Sequence, residues 1–264
     1  MIYKEINMSR EIKSVDEIYK LLHVTIKVGR LILQSGGEVF RVEDTIERMC
    51  SSFSNLDGVE VLCMKTSVSV TLVFEGIPYT QVAREKSPST KLEVIDMINS
   101  FSRNFVNKEM SLDQAYKEVT KIDKTKDFPK WFLGLCTGFV GAFFTILFGG
   151  PIIDFIPAFF VGFLGFFIVN KAPKFHAPEF MVQLLAGIMT AGLAVAFVKL
   201  GLAKDLDMIV IGCLMPYVPG MAITNAIRDI LSGDTMTGLM SIAQAIFIAV
   251  GLAFGAGMVL ALYL

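Results

Sequence analysis

Asn225, Arg228 and Asp229 place an amide, a cation and a carboxylate within five consecutive residues. At helical spacing Asn225 and Asp229 are four apart and share one face. They follow Pro216, Pro219 and Gly220, which interrupt an uncharged run from Met208 to Ile227 that is long enough to cross a bilayer. Proline removes a backbone donor and breaks the helix, and freed carbonyls at membrane depth need protein or water to satisfy them. A helix restarting after Gly220 turns unpaired N–H groups and the positive end of its dipole toward the break. That end suits a solute carboxylate, and broken helices followed by polar side chains are how many transporters build their sites. The plainer alternative is an ordinary aqueous end of a span, with Asp229 paired to Arg228 or to a lipid headgroup. The chemistry on offer is binding and passage of a polar solute, with a carboxylate able to carry a proton.

Asp154 is the one charge between Trp131 and Lys171. It sits either in a surface turn, where a carboxylate costs little, or against an aqueous cavity, as intramembrane carboxylates usually do. Glu38, Arg41, Glu43 and Arg84 lie in the first half of the chain, where a solvated face with salt bridges accounts for them. His176 and Glu179 form an H-x-x-E without a further His or Cys nearby, and His23 lies on an amphipathic stretch, so no metal site is expected. The chain contains no phosphate loop, no G-x-S-x-G and no G-x-G-x-x-G, so ATP-driven transport by this chain alone, catalytic residues and cofactors are not expected. Cys50, Cys63, Cys136 and Cys213 lack C-x-x-C spacing and read as reduced thiols.

The elements that must position these residues divide the chain in two. Residues 1–130 hold 19 of the 24 basic and 19 of the 25 acidic side chains, and residues 131–264 hold the remaining eleven charges. An average globular domain is about a quarter charged, so the second half is not an ordinary soluble domain. The balanced charge of the first half argues against nucleic acid as a partner. No signal peptide opens the chain, so the first membrane segment serves as the insertion signal.

Residues 1–130 read as a small α+β domain. Ser14 to Ser35 is an amphipathic helix that Gly36-Gly37 stops, and a second helix runs from Val39 to about Phe53. Val59 to Thr66, Val68 to Glu75 and Tyr79 to Glu85 read as strands, with Gly76-Ile77-Pro78 breaking the last pair. Lys91 to Asn107 and Leu112 to Asp123 are two more helices. The membrane domain, 131–264, has about five spans at 131–149, 152–170, 180–199, 208–227 and 238–262, the fourth broken by Pro and Gly. Gly134 with Gly138, Gly187 with Ala191 and Gly251 with Gly255 have the small-x-x-x-small spacing of closely packed helices. Lysines and arginines flanking the spans (Lys121 to Lys130, Lys171, Lys174, Arg228) fall on one side for five spans. That side is then cytoplasmic, with the N-terminal domain cytosolic.

Val218-Pro219-Gly220, Asn225-Ala226, Asp229, Gly233 and Thr237-Gly238-Leu239 resemble the V-P-G-x4-N-A-x2-D-x3-G-x3-T-G-L pattern of the threonine/serine exporter family. Gly149-Gly150 with Asp154 resembles that family's G-G-x-x-D after its first span. Leu33-Gln34-Ser35-Gly36-Gly37-Glu38 resembles its L-x-x-x-G-A-E helix end, with Gly37 where alanine is usual, and Arg84 resembles its strand-end arginine. The resemblance implies a secondary exporter of small hydrophilic metabolites in the cytoplasmic (inner) membrane. Threonine and serine are the named substrates, and succinate-like dicarboxylates are implied for split, two-protein members. It also implies a small membrane-protein partner of the same family and a homo- or hetero-oligomer, because only the first part of the fused exporters is matched. The residues expected to serve transport are Asp154, Pro216, Pro219, Gly220, Asn225 and Asp229, with Glu38 and Arg84 as functional residues of the cytosolic domain. The rival readings are a membrane-tethered enzyme with a catalytic N-terminal domain, which lacks a visible nucleophile–base pair, and a regulatory or scaffold subunit whose spans only dock a partner.

Overall fold

A computed structural model describes residues 10–85, 90–107, 110–171 and 178–263. His176 and Lys174 lie outside the described residues. The described chain is mostly helical and separates into two compact units. Of the described residues, the first unit takes those between 10 and 126 together with 224–241, and the second those between 127 and 223 together with 242–263.

In the first unit α1 (Val15–Gln34) begins at Ser14, whose hydroxyl accepts the Glu17 amide. Its apolar residues recur at helical spacing, and Ile18, Leu21, Leu22 and Val28 are buried. α2 (Val39–Cys50) buries Val42, Ile46 and Met49 on one face. Strands β1 (Gly58–Met64), β2 (Ser67–Phe74) and β3 (Ile77–Arg84) form an antiparallel meander in the order β1-β2-β3. On the central strand Val68, Val70, Leu72 and Phe74 alternate inward, which is the period-2 signature of a sheet with one covered face. Those side chains meet α1, α2, α3 (Leu92–Asn107) and α4 (Leu112–Asp123) in one apolar core. A reciprocal cap between Ser111 and Gln114 starts α4.

One expectation fails locally. Gly76-Ile77-Pro78 does not break the second hairpin: the turn is Glu75-Gly76 alone, both at positive φ (52° and 72°), and Ile77 already pairs with Phe74. Positive φ at both central positions suits the twist of a two-residue hairpin. Pro78 is tolerated opposite Val73 because β3 is an edge strand, where a missing N–H costs no ladder bond on its open side.

The second unit is built from long apolar helices. α5 (Lys130–Leu147), a 3₁₀ turn (Ile152–Asp154) running into α6 (Phe155–Val169), and α7 (Glu179–Lys199) precede α8 (Leu206–Leu214). A second 3₁₀ turn (Met215–Tyr217) leads to α9 (Gly220–Leu231), and α10 (Thr235–Tyr263) closes the chain. Among the described residues four segments are long and apolar enough to cross a membrane: Lys130–Leu147, Ile152–Val169, Glu179–Lys199 and Thr235–Tyr263. A fifth exists if Leu206–Tyr217 and Gly220–Leu231, bent by 51°, count as one broken span.

Small residues let these helices touch backbone to backbone. A Cβ on Gly187 of α7 would lie 2.2 Å from the Leu252 carbonyl oxygen, and one on Gly255 of α10 would lie 2.2 Å from that of Leu184. Such closeness leaves no slack for a methyl group, and van der Waals contact is what holds helices together in lipid. Gly187→Ala or Gly255→Ala is therefore expected to lower the melting temperature of the detergent-purified chain, at a cost of about 1–3 kcal/mol. Gly192→Ala, which meets open space, should leave it unchanged.

Candidate functional site

The polar end of α9 is gathered at the junction of α1 and α2 within the first unit. α1 ends in a Schellman motif: Gly36, at φ 79°, donates to the Leu33 carbonyl at 3.1 Å, and Gly37 donates to the Ile32 carbonyl at 2.9 Å. A Cβ on Gly37 would meet the Ile32 Cγ2 methyl at 2.4 Å. Glycine at 37 is thus the fit to a β-branched residue at 32. The motif turns the Gly36 carbonyl outward, where it accepts from Asn225 Nδ2 at 2.9 Å.

Glu38 then serves as N-cap of α2 by position, in extended geometry, but its side chain makes no capping bond. Its buried carboxylate instead pairs with Arg228, and it lies 3.8 Å from the Arg41 guanidinium. The capping role falls to Asp229, whose carboxylate faces the backbone amides of Val39 and Phe40 in the first turn of α2. Those amides have no intrahelical acceptor, and the helix dipole favours an anion there. Asp229 is buried, and its Oδ1 has no hydrogen-bond partner among the described residues.

The corner after α9 is equally close. Gly233 sits at φ 104°, the Asp234 amide donates to the Asp229 carbonyl at 2.9 Å, and a Cβ on Gly238 would approach the Ala226 carbonyl oxygen to 2.7 Å. The Asn225-to-Leu239 pattern therefore describes a helical corner, with Thr237 buried in it.

Glu43, one turn into α2, faces the same group of acids. Its carboxylate accepts the Cys63 amide of β1 at 2.8 Å. Burial pushes its pKa above the ordinary carboxylate value; the Cys63 bond opposes this, and Asp234, Glu47 and Asp229 reinforce it. Burial likewise raises the Cys50 thiol to about 12 and the Cys63 thiol higher still, so neither is a ready nucleophile. Among the described residues no cluster of His, Cys, Asp and Glu has the arrangement of a metal site.

Arg84 stands apart from this cluster. It is an exposed residue of the edge strand, opposite Ser67. The buried acid beside it, Glu85, pairs with Arg30 at 3.2 Å.

In the second unit Asp154 is fully buried. Its Oδ1 accepts the Lys204 amide and its Oδ2 the Asp205 amide, each at 2.8 Å. Asp205 in turn caps α8 through the Met208 amide at 3.1 Å. Asp154 therefore fastens the loop that launches α8, a use of this carboxylate that neither sequence reading contained.

Pro216, Pro219 and Gly220 form the bend itself. Between the prolines Tyr217 packs toward Val169, Ala186 and Leu252, and its hydroxyl is buried with no hydrogen-bond partner among the described residues. Oε1 of Gln183, adjacent in α7 to Val182 of the same cluster, is likewise unpartnered. Sequence reasoning missed both. Their one signal was a hydrogen-bonding side chain in an otherwise apolar run.

Long apolar helices with a 51° break fit a membrane protein, and a broken span is a feature of many transporters. The family model described as "Putative threonine/serine exporter" matches residues 23–263, and the chain belongs to that family. It is 20% identical over 255 residues to the "Probable threonine/serine exporter" of Mycobacterium tuberculosis, covering 94% of this chain and 47% of that protein. It is 21% identical over 247 residues to the "Probable succinate transporter subunit YjjP" of Klebsiella aerogenes, covering 90% and 92% respectively. The chain thus spans about half the length of the first relative and most of the second. No solved structure matches it.

Two outcomes follow from the junction. Asp229→Ala or Asn225→Ala removes a partner of buried backbone groups, at about 1–3 kcal/mol each. Hydrogen exchange of the amides at 224–231 and 39–42 is expected to quicken in both variants. Glu43 reports through pH. Its raised folded pKa means the folded state holds the proton more tightly, so its penalty is absent at low pH and grows as pH rises from the unfolded value through the folded one. Glu43→Gln, which keeps an acceptor for Cys63, should raise the neutral-pH melting temperature by a few degrees and leave the value near pH 4 unchanged.

Proposed function

We propose that the chain is one component of a secondary exporter of small hydrophilic metabolites, of threonine/serine type or small dicarboxylates. Membership of the exporter family supports transport rather than enzymatic chemistry. The observation that carries the reading within the molecule is the bend at Pro216–Gly220, with the Tyr217 hydroxyl buried and unpartnered inside it. An apolar bundle holds such a group at a cost of about 1–3 kcal/mol, and a passing solute with hydroxyl or carboxylate groups supplies the missing partner. Tyr217, Pro216, Pro219 and Gly220 are assigned to the pathway. Asp154 sets the start of α8, and Asn225, Arg228 and Asp229 hold α9.

The succinate reading rests on the name of the YjjP relative, and the amino-acid reading on that of the mycobacterial one. The word "subunit" in the first, and the 47% coverage of the second, support a split transporter completed by a separate small membrane protein. We place the chain in the cytoplasmic membrane as part of the same proposal, with 131–264 as the membrane domain, and the lysine and arginine placement supports a cytosolic side for residues 1–130.

The test is export from vesicles loaded with threonine, serine or succinate, with this chain reconstituted alone and with the small partner. Tyr217→Phe should leave melting unchanged or slightly raised, since the hydroxyl has no partner to lose, while cutting export about tenfold. Asp154→Asn should reduce export together with stability, because an amide in place of the carboxylate turns a donor toward the Lys204 or Asp205 N–H. Full export by both variants would defeat the proposal.

A further inference from the structure

Away from the bend and from the residues that hold α9, three arginines line one small pocket. Arg41, Asp44, Thr45 and Arg48 lie along α2 at spacings of three, four and seven, which is one helical face. Asn99 and Arg103 lie four apart on α3 and close the opposite wall. The pocket is about 220 Å³. That is below the ~300–1,000 Å³ typical of drug-sized ligands and suits a small anion.

The pocket's charges are incompletely matched from within. Arg48 lies 3.8 Å from Asp44, and its Nε is buried without a hydrogen-bond partner among the described residues. Its terminal nitrogen reaches only the Ser102 hydroxyl, at 3.5 Å. Arg41 donates to Asn99 Oδ1 at 3.2 Å and shares Glu38 with Arg228. Arg103 has no ion pair among the described residues. Three guanidinium groups thus share two carboxylates, Asp44 and a Glu38 that Arg228 also engages, and Arg103 has neither. Guanidinium matches carboxylate and phosphate oxygens by two parallel hydrogen bonds, the geometry that gives arginine its preference for such anions.

We propose that this α2–α3 pocket binds a small soluble polyanion, a dicarboxylate or phosphate, at a site separate from the transport pathway. The anion neutralises Arg48 and Arg103. It also competes with Glu38 for Arg41, which places the site one ion pair from the Glu38–Arg228 contact.

The test is isothermal titration calorimetry of the full chain, purified in detergent at low salt, with succinate, citrate, inorganic phosphate and, for comparison, zwitterionic threonine. At least one of the three anions is expected to bind at one equivalent, more weakly as salt rises. Arg103→Gln should weaken that binding about ten- to a hundredfold, and Arg48→Gln likewise. Lys117→Gln, an exposed cation outside the pocket, should leave it unchanged. Arg103 is exposed, so the folding of its variant is not at issue. Which anion binds distinguishes a carboxylate site from a phosphate site. Absence of binding by all three, anion binding undiminished in Arg103→Gln, or threonine binding that Arg103→Gln weakens as much as it weakens the anions would overturn the proposal. Because binding is read without flux, its failure is distinct from failure of the export reading.

Discussion

A carboxylate withdrawn from water must find donors to replace its hydration, at a cost of several kcal/mol if it does not. Asp229 is 4% exposed and finds them in the first amides of α2, which lack intrahelical acceptors for their own reasons. Two deficits meet at one place, although Asp229 Oδ1 keeps no partner among the described residues. The arrangement sets strict terms for what surrounds it. α1 must stop abruptly enough to leave the start of α2 open, which the left-handed Gly36 and the crowded Gly37 achieve. α9 must present Asn225 and Arg228 on the side that meets the Gly36 carbonyl and Glu38. The chain must then double back without pushing α9 away, which the Gly233 turn and the bare face of Gly238 permit.

Asp154 solves the same problem in the second unit. It too is fully buried, and both of its oxygens are filled by backbone amides, those of Lys204 and Asp205. The chain thus uses its two most buried aspartates as clasps on backbone that regular structure leaves unpaired, one at a helix start and one in the loop before a helix. A proton on either carboxylate would turn an acceptor into a donor and loosen the clasp. Any coupling of transport to protonation at these residues would therefore also alter the placement of α8 or of α9.

Periodicity made most of the elements legible. The apolar stripe of α1, the alternation on β2 and the uncharged runs of the spans each follow from which face is buried, and burial is written locally in residue type. Pro78 misled because an edge strand forgives proline, and edge status depends on what pairs where rather than on the residue itself. The site was legible as a set of residues and not as a set of contacts. Asn225, Asp229 and Glu38 were all visible as candidates, but Arg228 reaches Glu38 across 190 positions. No spacing rule spans that distance. The arginine pocket divides the same way: the Arg41–Asp44–Arg48 face can be read from the sequence of α2, but Arg103 arrives on α3, and only tertiary packing brings the two walls together.

The bend at Pro216–Gly220 has the opposite character to the clasps. Asp154 and Asp229 satisfy backbone that would otherwise be orphaned, whereas Tyr217 brings a hydroxyl into an apolar cluster and leaves it unpartnered. Phenylalanine, which is abundant in this chain, would fill the same volume without that cost. Local violations of packing rules concentrate where a protein does something besides fold. Gln183 adds a second such atom from α7, on an element packed against the same cluster. Asp229 Oδ1 and Arg48 Nε are also left unpartnered, but both sit in the charged first unit, whereas the Tyr217 hydroxyl lies in an apolar cluster where the helix is broken. That division ties the transport reading to the bend more firmly than to the carboxylates that first drew attention.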